Sequence, residues 1–121
     1  MPIDELALER QVLSDGVEDW CGLYEIIWSL STKHPGLSLE AKLAAAKPVV
    51  LRLLQRGHIQ LARSTWGSDT LNVVPASESE ELVRRADSWD SPDVDPDRRY
   101  LSFAATAEGE LAYHGPAHER A

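Results

Sequence analysis

This sequence has few of the features that mark a secreted or membrane-embedded protein. Cys21 is the only cysteine, so no disulfide can form within the chain, and we expect a reducing, cytoplasmic environment. No apolar run approaches the roughly 18 residues that a membrane-spanning helix needs, so we expect no membrane contact. The first five residues are mostly acidic or apolar and contain no basic region, so we expect no secretion signal.

Motifs for catalysis and for cofactor binding are also lacking. There is no glycine-rich phosphate loop and no Gly-x-Ser-x-Gly element. Asp93-Val94-Asp95-Pro96-Asp97 begins like a calcium loop but lacks the glycine and the glutamate that such a loop requires. His114 and His118 are four residues apart, but Gly115-Pro116 disfavours the helix that would bring them together. We therefore predict no enzyme activity, no cofactor and no metal site.

Charge is abundant but unevenly distributed. The net charge is −8, from 20 acidic and 12 basic residues. Residues 1–30 carry −6, residues 31–63 carry +5 and residues 64–121 carry −7. A basic middle inside an acidic protein is a candidate footprint for a polyanion. The alternative is that these basic side chains line a solvated helix face and pair with nearby acids.

The hydrophobic pattern predicts a single domain over residues 1–121 that begins with helices. An N-terminal helix over residues 1–14 ends at Ser14-Asp15-Gly16. A second helix follows over residues 17–31, because its apolar residues recur every three or four positions. At the other end of the chain, we expect residues 113–121 to form a frayed tail.

The third predicted helix is the most informative segment. One apolar stripe runs from Leu39 to Gly57, with Ser38 suited to the N-cap and Gly57 to the residue that reverses the chain. Pro48 lies on the side opposite the stripe and removes a hydrogen bond to the carbonyl of Ala44. We therefore expect a kink or a break between Ala44 and Pro48.

After Gly57 the apolar period changes from helical to alternating, which predicts strands. The first predicted element here is a hairpin over residues 58–74, ended by Pro75. A short helix follows from the capping box Ser77-Glu78-Ser79-Glu80 to about Trp89. An exposed acidic loop over 90–99, a strand over 100–105 and a capped turn or short helix over 106–113 complete the order. The fold class is therefore α+β: three N-terminal helices, then a small antiparallel sheet with an extra short helix.

Two phrases resemble winged-helix domains. Leu53-Leu54-Gln55-Arg56-Gly57-His58-Ile59 is similar to the end of a recognition helix that turns directly into the first strand of the wing. The segment from Phe103 to Ala112 is similar to the strand, Thr-x-x-Gly and helix that close many winged-helix regulators. The long stretch from 64 to 99 departs from that pattern, so a different small α+β domain with a similar junction is the alternative.

This resemblance implies a DNA-binding transcriptional regulator that contacts duplex DNA through residues 42–66. Lysines and arginines at such positions contact phosphates and guanine edges. The candidate DNA-binding residues are Lys42, Lys47, Arg52, Arg56, Arg63 and Trp66. Regulators of this kind are often dimers, so a homodimer formed through Trp28 or the first helix is a further expectation.

The acidic surface carries the alternative hypothesis. A long acidic face steers a basic partner protein, as in an immunity or antitoxin-like protein that neutralises a nuclease toxin. The candidate residues for this protein-binding surface are Glu78, Glu80, Glu81, Trp89, Asp90 and Asp93. The competing interpretation is a solvated loop, with the tryptophan in the core.

Overall fold

The computed structural model describes residues 3–119, with side chains as far as residue 115. These residues form an α+β fold, as predicted. The elements in chain order are α1 (Glu5–Glu18), β1 (Cys21–Gly22), α2 (Leu23–Lys33), α3 (Leu39–Gln55), β2 (Ile59–Thr65), β3 (Leu71–Val73), α4 (Ala76–Arg84), two 3-10 turns (Ala86–Trp89 and Pro92–Val94), β4 (Arg99–Ala105) and α5 (Ala107–Glu119). No helix among residues 3–119 is long and apolar enough to cross a membrane.

The first helix is longer than its sequence pattern indicates. Asp4 caps it, because its carboxylate accepts hydrogen bonds from two amides of the first turn at 3.0 and 3.1 Å. The predicted break at Ser14-Asp15-Gly16 does not occur, since α1 continues to Glu18. Gly16 is buried, and a Cβ there would lie only 2.9 Å from the backbone nitrogen of Ala105 in β4. This glycine therefore permits close packing of a helix on a strand and does not end the helix.

The predicted second helix is divided in the structure. Its first residues belong to α1, and α2 begins only at Leu23. Between the two helices, Cys21 and Gly22 form the short strand β1 and pair with β4, so Cys21 lies on a strand and not on the predicted helix. The carboxylate of Glu25 accepts a hydrogen bond from the Gly22 amide at 2.7 Å and so caps the start of α2. A strand of two residues has no period for a sequence pattern to reveal.

The third helix is confirmed over most of its predicted length. The hydroxyl of Ser38 accepts a hydrogen bond from the Ala41 amide at 3.1 Å, and Gly57 has a φ of +76°. Of the two expected outcomes at Pro48, a kink or a break, the break does not occur, because Pro48 lies inside one continuous helix. Pro48 and Ala44 are both exposed, and the carbonyl that loses its partner therefore faces water.

The sheet is antiparallel throughout and has the order β1-β4-β2-β3. The predicted hairpin is confirmed as β2 and β3, and the predicted strand over 100–105 is confirmed as β4. The last strand of the chain is thus inserted between β1 and β2. One hydrophobic core joins α1, α2 and α3 to this sheet, with Leu23, Leu61 and Phe103 fully buried in it.

The segment between the hairpin and β4 differs most from its prediction. The capping box at residues 77–80 does not form, because α4 begins at Ala76 after Pro75 with no side-chain cap. The helix ends at Arg84 and not near Trp89. Trp89 follows in a 3-10 turn, where it is 4% exposed and its indole donates a hydrogen bond to the Val83 carbonyl at 2.9 Å. A second turn with a buried Pro92 orders part of the predicted acidic loop.

The last helix is connected to the end of α3. The hydroxyl of Thr106 donates a hydrogen bond to the Gly57 carbonyl at 2.5 Å and accepts one from the Gly109 amide at 3.1 Å. Helix α5 continues past residue 113, where the frayed tail was predicted, with an interruption at Gly115. Residues 120 and 121 of that predicted tail lie outside the described residues.

Candidate binding surfaces

Two of the predicted DNA-binding arginines face the acids of α1. Arg52 Nε lies 3.2 Å from Glu9 Oε2, and Arg52 Nη2 lies 3.3 Å from Glu5 Oε1. Arg56 also forms an ion pair with Glu9. The Glu9 side chain is 16% exposed, against 35% for Arg52 and 48% for Arg56. These contacts fix both arginines against the first helix.

Glu9 is held in its charged form by this arrangement. Partial burial acts to raise the pKa of Glu9, but the hydrogen bonds and positive charges of Arg56 and Arg52 outweigh burial, and the pKa lies below its usual value. The carboxylate therefore remains ionised at neutral pH and neutralises charge on α3. A phosphate would have to compete with Glu9 for these two arginines.

The other predicted DNA-binding residues lie in two separate places. On α3, Lys42 donates a hydrogen bond to the Ser31 hydroxyl and Lys47 donates one to the Arg84 carbonyl, each at 2.7 Å. In the hairpin, Arg63 is exposed and forms no hydrogen bond or ion pair with any described residue. Trp66 begins the turn that follows β2 and is 54% exposed. Four of the six residues thus lie on α3 and contact other elements, and the remaining two lie in the hairpin.

The predicted acidic surface has no exposed Trp89 among its residues. Trp89 was predicted to contact a partner, but this is wrong, because the indole is buried in the core. Glu78 and Glu81 are exposed on α4, whereas Glu80 is half-buried and accepts hydrogen bonds from Gln55 and Arg84. Asp90 is exposed directly after the first 3-10 turn, and Asp93 is exposed in the second. The acids remain on the surface, and Val94 beside Asp93 is an exposed apolar side chain, at 67%.

Four aromatic rings, not predicted from the sequence, contact one another in a connected row. The ring centroids are 4.7 Å apart for Trp28 and Tyr24, 5.6 Å for Tyr24 and Tyr100, and 6.5 Å for Tyr100 and Trp66. Each pair is edge-to-face, which is a favourable geometry for aromatic rings. The two outer members, Trp28 and Trp66, are each 54% exposed. We call these four residues the aromatic row.

Local packing explains how the aromatic row forms. Tyr24 is buried against the backbone of Gly22, where a Cβ would lie 2.3 Å from the tyrosine ring. Burial raises the pKa of Tyr24 to about 12, and the negative charge of Glu25 acts in the same direction. The Tyr24 hydroxyl therefore keeps its proton at any physiological pH.

The same side of the sheet continues to its outer edge. Tyr100 lies opposite Ser64, and Ser64 lies opposite Leu71. Directly opposed residues of antiparallel strands point to the same face, and so do residues two apart along a strand. Leu71 and Val73 are therefore on the face of Tyr100, and they are 41% and 57% exposed. Their alternation was visible in the sequence, but it was interpreted as a half-buried strand.

A groove of about 650 Å³ lies beside the hairpin. Its charged lining residues are Arg63, Arg85, Asp87, Asp90, Asp95 and Arg99. Most of these charges already have partners, since Arg85 pairs with Asp87 at 2.9 Å and Arg99 pairs with Asp95 at 3.4 Å. The groove therefore presents no excess of either sign to a ligand.

The side chains give little support to nucleophilic or metal chemistry. Burial, reinforced by the charges of Glu25 and Asp15, raises the pKa of the Cys21 thiol to about 12. Thiolate is therefore scarce at neutral pH. Within the described part of the chain, no three His, Cys, Asp or Glu residues are placed to hold a metal ion.

Comparison with protein-family models, with curated proteins and with solved structures finds no match to this chain.

Proposed function

We propose that this protein is a binding module that docks a basic protein partner on the aromatic row, and that it is not an enzyme. The observation that carries the proposal is the exposure of Trp28 and Trp66, at 54% each, in one connected row of rings. Tryptophan, tyrosine and arginine dominate the binding energy of protein interfaces. Two half-exposed tryptophans, each packed edge-to-face against a tyrosine, are typical of such anchors.

The acids near Tyr24 favour a basic partner, whereas Arg98 is hydrogen-bonded through its backbone to Trp66 at the other end of the row. Glu25 and Asp93 act electrostatically on Tyr24, and both are exposed. Asp69 is exposed in the turn that follows Trp66. The net charge of −8 adds long-range attraction for a cationic protein. Lysine and arginine side chains also bind the faces of tryptophan rings directly. An immunity or antitoxin-like role in the cytoplasm is the form of this function that we favour.

Duplex DNA is the second candidate, and the hairpin supports it. Arg63 has no partner among the described residues and Trp66 is exposed close to it, as expected for a wing that contacts DNA. The turn at Gly57 and its hydrogen bond from Thr106 are consistent with the resemblance to winged-helix domains. Against DNA, Arg52 and Arg56 are already paired with the acids of α1.

Peptide binding tests the first candidate directly. The probes are a library of lysine- and arginine-rich peptides of about 15 residues and a matched acidic library, titrated against the purified protein. We expect basic peptides to bind, and we expect Trp28→Ala and Trp66→Ala each to weaken binding by tenfold or more, as hot-spot truncations of about 2 kcal/mol do. Leu6→Ala is the control, because Leu6 is 78% exposed and lies outside the row.

The same preparation separates the two candidates. A labelled random duplex is titrated at several salt concentrations and followed by fluorescence anisotropy. Equal binding of basic and acidic peptides, or no effect of either tryptophan substitution, would contradict the protein-binding proposal. Micromolar DNA binding that weakens steeply with salt, and less steeply in Arg63→Ala, would favour the second candidate instead.

A further inference from the structure

The outer edge of the sheet is open for pairing. Strand β3 is the last strand in the order β1-β4-β2-β3, and all three of its residues are exposed. The Val74 amide donates a hydrogen bond to the Leu61 carbonyl at 2.8 Å, which directs the backbone of Val74 toward β2. Backbone groups alternate between the two sides of a strand. The N–H and C=O groups of Leu71 and Val73 are therefore directed outward.

This edge has little of the protection that natural sheets use. Edge strands are usually protected by being very short or by lysines, prolines, bulges or a covering element. Strand β3 is short, but it reads Leu71-Asn72-Val73 and contains no charge and no proline. The two residues whose backbone groups are directed outward, Leu71 and Val73, also have exposed apolar side chains.

We propose that the basic partner offers an extended strand that pairs with the edge of β3. The sheet then gains a fifth strand beside the face that carries Trp66 and Tyr100. This inference rests on the proposed function and specifies which element of the partner is recognised. Addition of a strand to a sheet edge is a general mode of peptide recognition in which backbone bonds supply affinity and alternate side chains supply specificity.

The side chains of β3 define the sequence of the incoming strand. Leu71 and Val73 point to one face and Asn72 to the other, on the side of Arg63. The incoming strand therefore needs apolar residues at alternate positions with a polar residue between them. Two apolar residues, each opposite an exposed apolar residue of β3, remove four side chains from water.

Exposed acids in the segments on both sides of β3 in the sequence favour a cationic strand. Asp69 precedes β3, and Glu78 and Glu81 follow it on α4, all of them exposed. Lysine or arginine on both sides of the apolar pair would complement these acids. A second copy of this chain fits less well, because two molecules of net charge −8 repel each other.

The test uses the capped peptide Lys-Lys-Val-Thr-Val-Lys-Lys and two N-methylated forms. When the valines are opposite Leu71 and Val73, their N–H groups point to β3 and the threonine N–H points away. Methylation of both valine nitrogens then removes the hydrogen bonds, whereas methylation of the threonine nitrogen is the matched control. We expect the valine-methylated peptide to bind at least tenfold more weakly than the other two. We also expect the unmodified peptide to slow hydrogen exchange of the Leu71 and Val73 amides.

A variant on the protein side gives an independent measurement. Val73→Lys adds a like charge at an exposed position and should weaken binding of the peptide about tenfold without unfolding the protein. Leu6→Lys is the control, since it adds the same charge far from β3 in the sequence at another exposed apolar position.

The outcomes distinguish this inference from the proposed function. If basic peptides bind and depend on Trp66, but methylation makes no difference and the amides stay unprotected, the strand inference is wrong and the proposed function stands. If no basic peptide binds, both are wrong. Dimerisation of the free protein in sedimentation velocity that Val73→Lys abolishes would assign the edge to a second copy and overturn the inference.

Discussion

Replacement of Glu9 by glutamine tests whether α1 really neutralises the basic face of α3. The carboxylate of Glu9 contacts both Arg52 and Arg56, and its side chain is only 16% exposed. Glutamine has nearly the same shape but no charge, so Glu9→Gln removes the ion pairs and leaves the packing. The change therefore isolates the electrostatic part of the contact between the two helices.

The structure sets the size of the expected effect. A hydrogen bond to a charged group contributes about 1.5–3 kcal/mol when it is well buried, whereas an exposed ion pair contributes about 0.2–1 kcal/mol. Glu9 is mostly buried, but its arginine partners are 35% and 48% exposed. We expect Glu9→Gln to lower the free energy of unfolding by about 1–2 kcal/mol at pH 7.

The dependence of this difference on pH identifies its cause. The folded protein holds the pKa of Glu9 below its usual value, so the stabilisation is present above the unfolded pKa and is lost as pH falls through the folded pKa. Urea denaturation of both proteins should therefore show a constant difference at neutral pH. Below the ordinary glutamate pKa of 4.5, that difference should shrink.

Glu5→Gln is the matched control, because Glu5 contacts Arg52 from an exposed position, with 56% of its side chain accessible. It should cost less than about 1 kcal/mol. A difference for Glu9→Gln that stayed unchanged down to pH 3, or an equal cost for both substitutions, would refute the electrostatic explanation. If Arg52 and Arg56 also bind DNA once released, Glu9→Gln should bind a random duplex more tightly than the unmodified protein.

Two further predictions concern α1. Gly16→Ala should lower the free energy of unfolding by about 1–2 kcal/mol, because the clash with Ala105 at 2.9 Å outweighs the roughly 1 kcal/mol that alanine gains in a helix. Gly36→Ala, which meets nothing within 4 Å, should stay within about 0.5 kcal/mol in the same urea titration, and a stabilised Gly16→Ala would disprove the close packing. Burial raises the pKa of Asp15, and nearby acids act in the same direction, while a hydrogen bond from Gln11 opposes them. Asp15 therefore contributes stability that is present below its unfolded pKa and is lost as pH rises through its folded pKa. Asp15→Asn should therefore unfold at a higher urea concentration than the unmodified protein at pH 7, with the gain disappearing in acid; no gain at pH 7 would contradict this reasoning.

The aromatic row explains why the position of a tryptophan in the sequence does not reveal its role. Trp28 and Ile26 both lie off the apolar stripe of α2, yet Ile26 is buried and Trp28 is 54% exposed. Trp89 and Trp66 both follow polar segments, yet one is buried in the core and the other is exposed. Each outcome depends on which distant element covers the indole, and that information is not local.

Much of the fold was determined by local sequence. The stripe from Leu39 to Gly57 has one helical period, Ser38 satisfies one free amide at its start and Gly57 adopts the positive φ that ends it, so α3 follows from neighbouring residues alone. The hairpin and β4 follow equally from their alternating pattern. In these segments, backbone hydrogen bonds and apolar periodicity point to the same structure.

Only the tertiary structure decided how the sheet is arranged and where the candidate binding surfaces lie. In the sequence, Gly16 indicates the end of a helix, but in the structure it allows α1 to pack closely on β4. The two-residue strand β1 is defined by its pairing with β4. The arginines of α3 belong to the basic middle of the sequence, but the acids of α1 pair with them in the structure. The aromatic row unites residues up to 76 positions apart, from Tyr24 to Tyr100. Such long-range contacts depend on the packing of whole elements, which no local pattern of residues specifies.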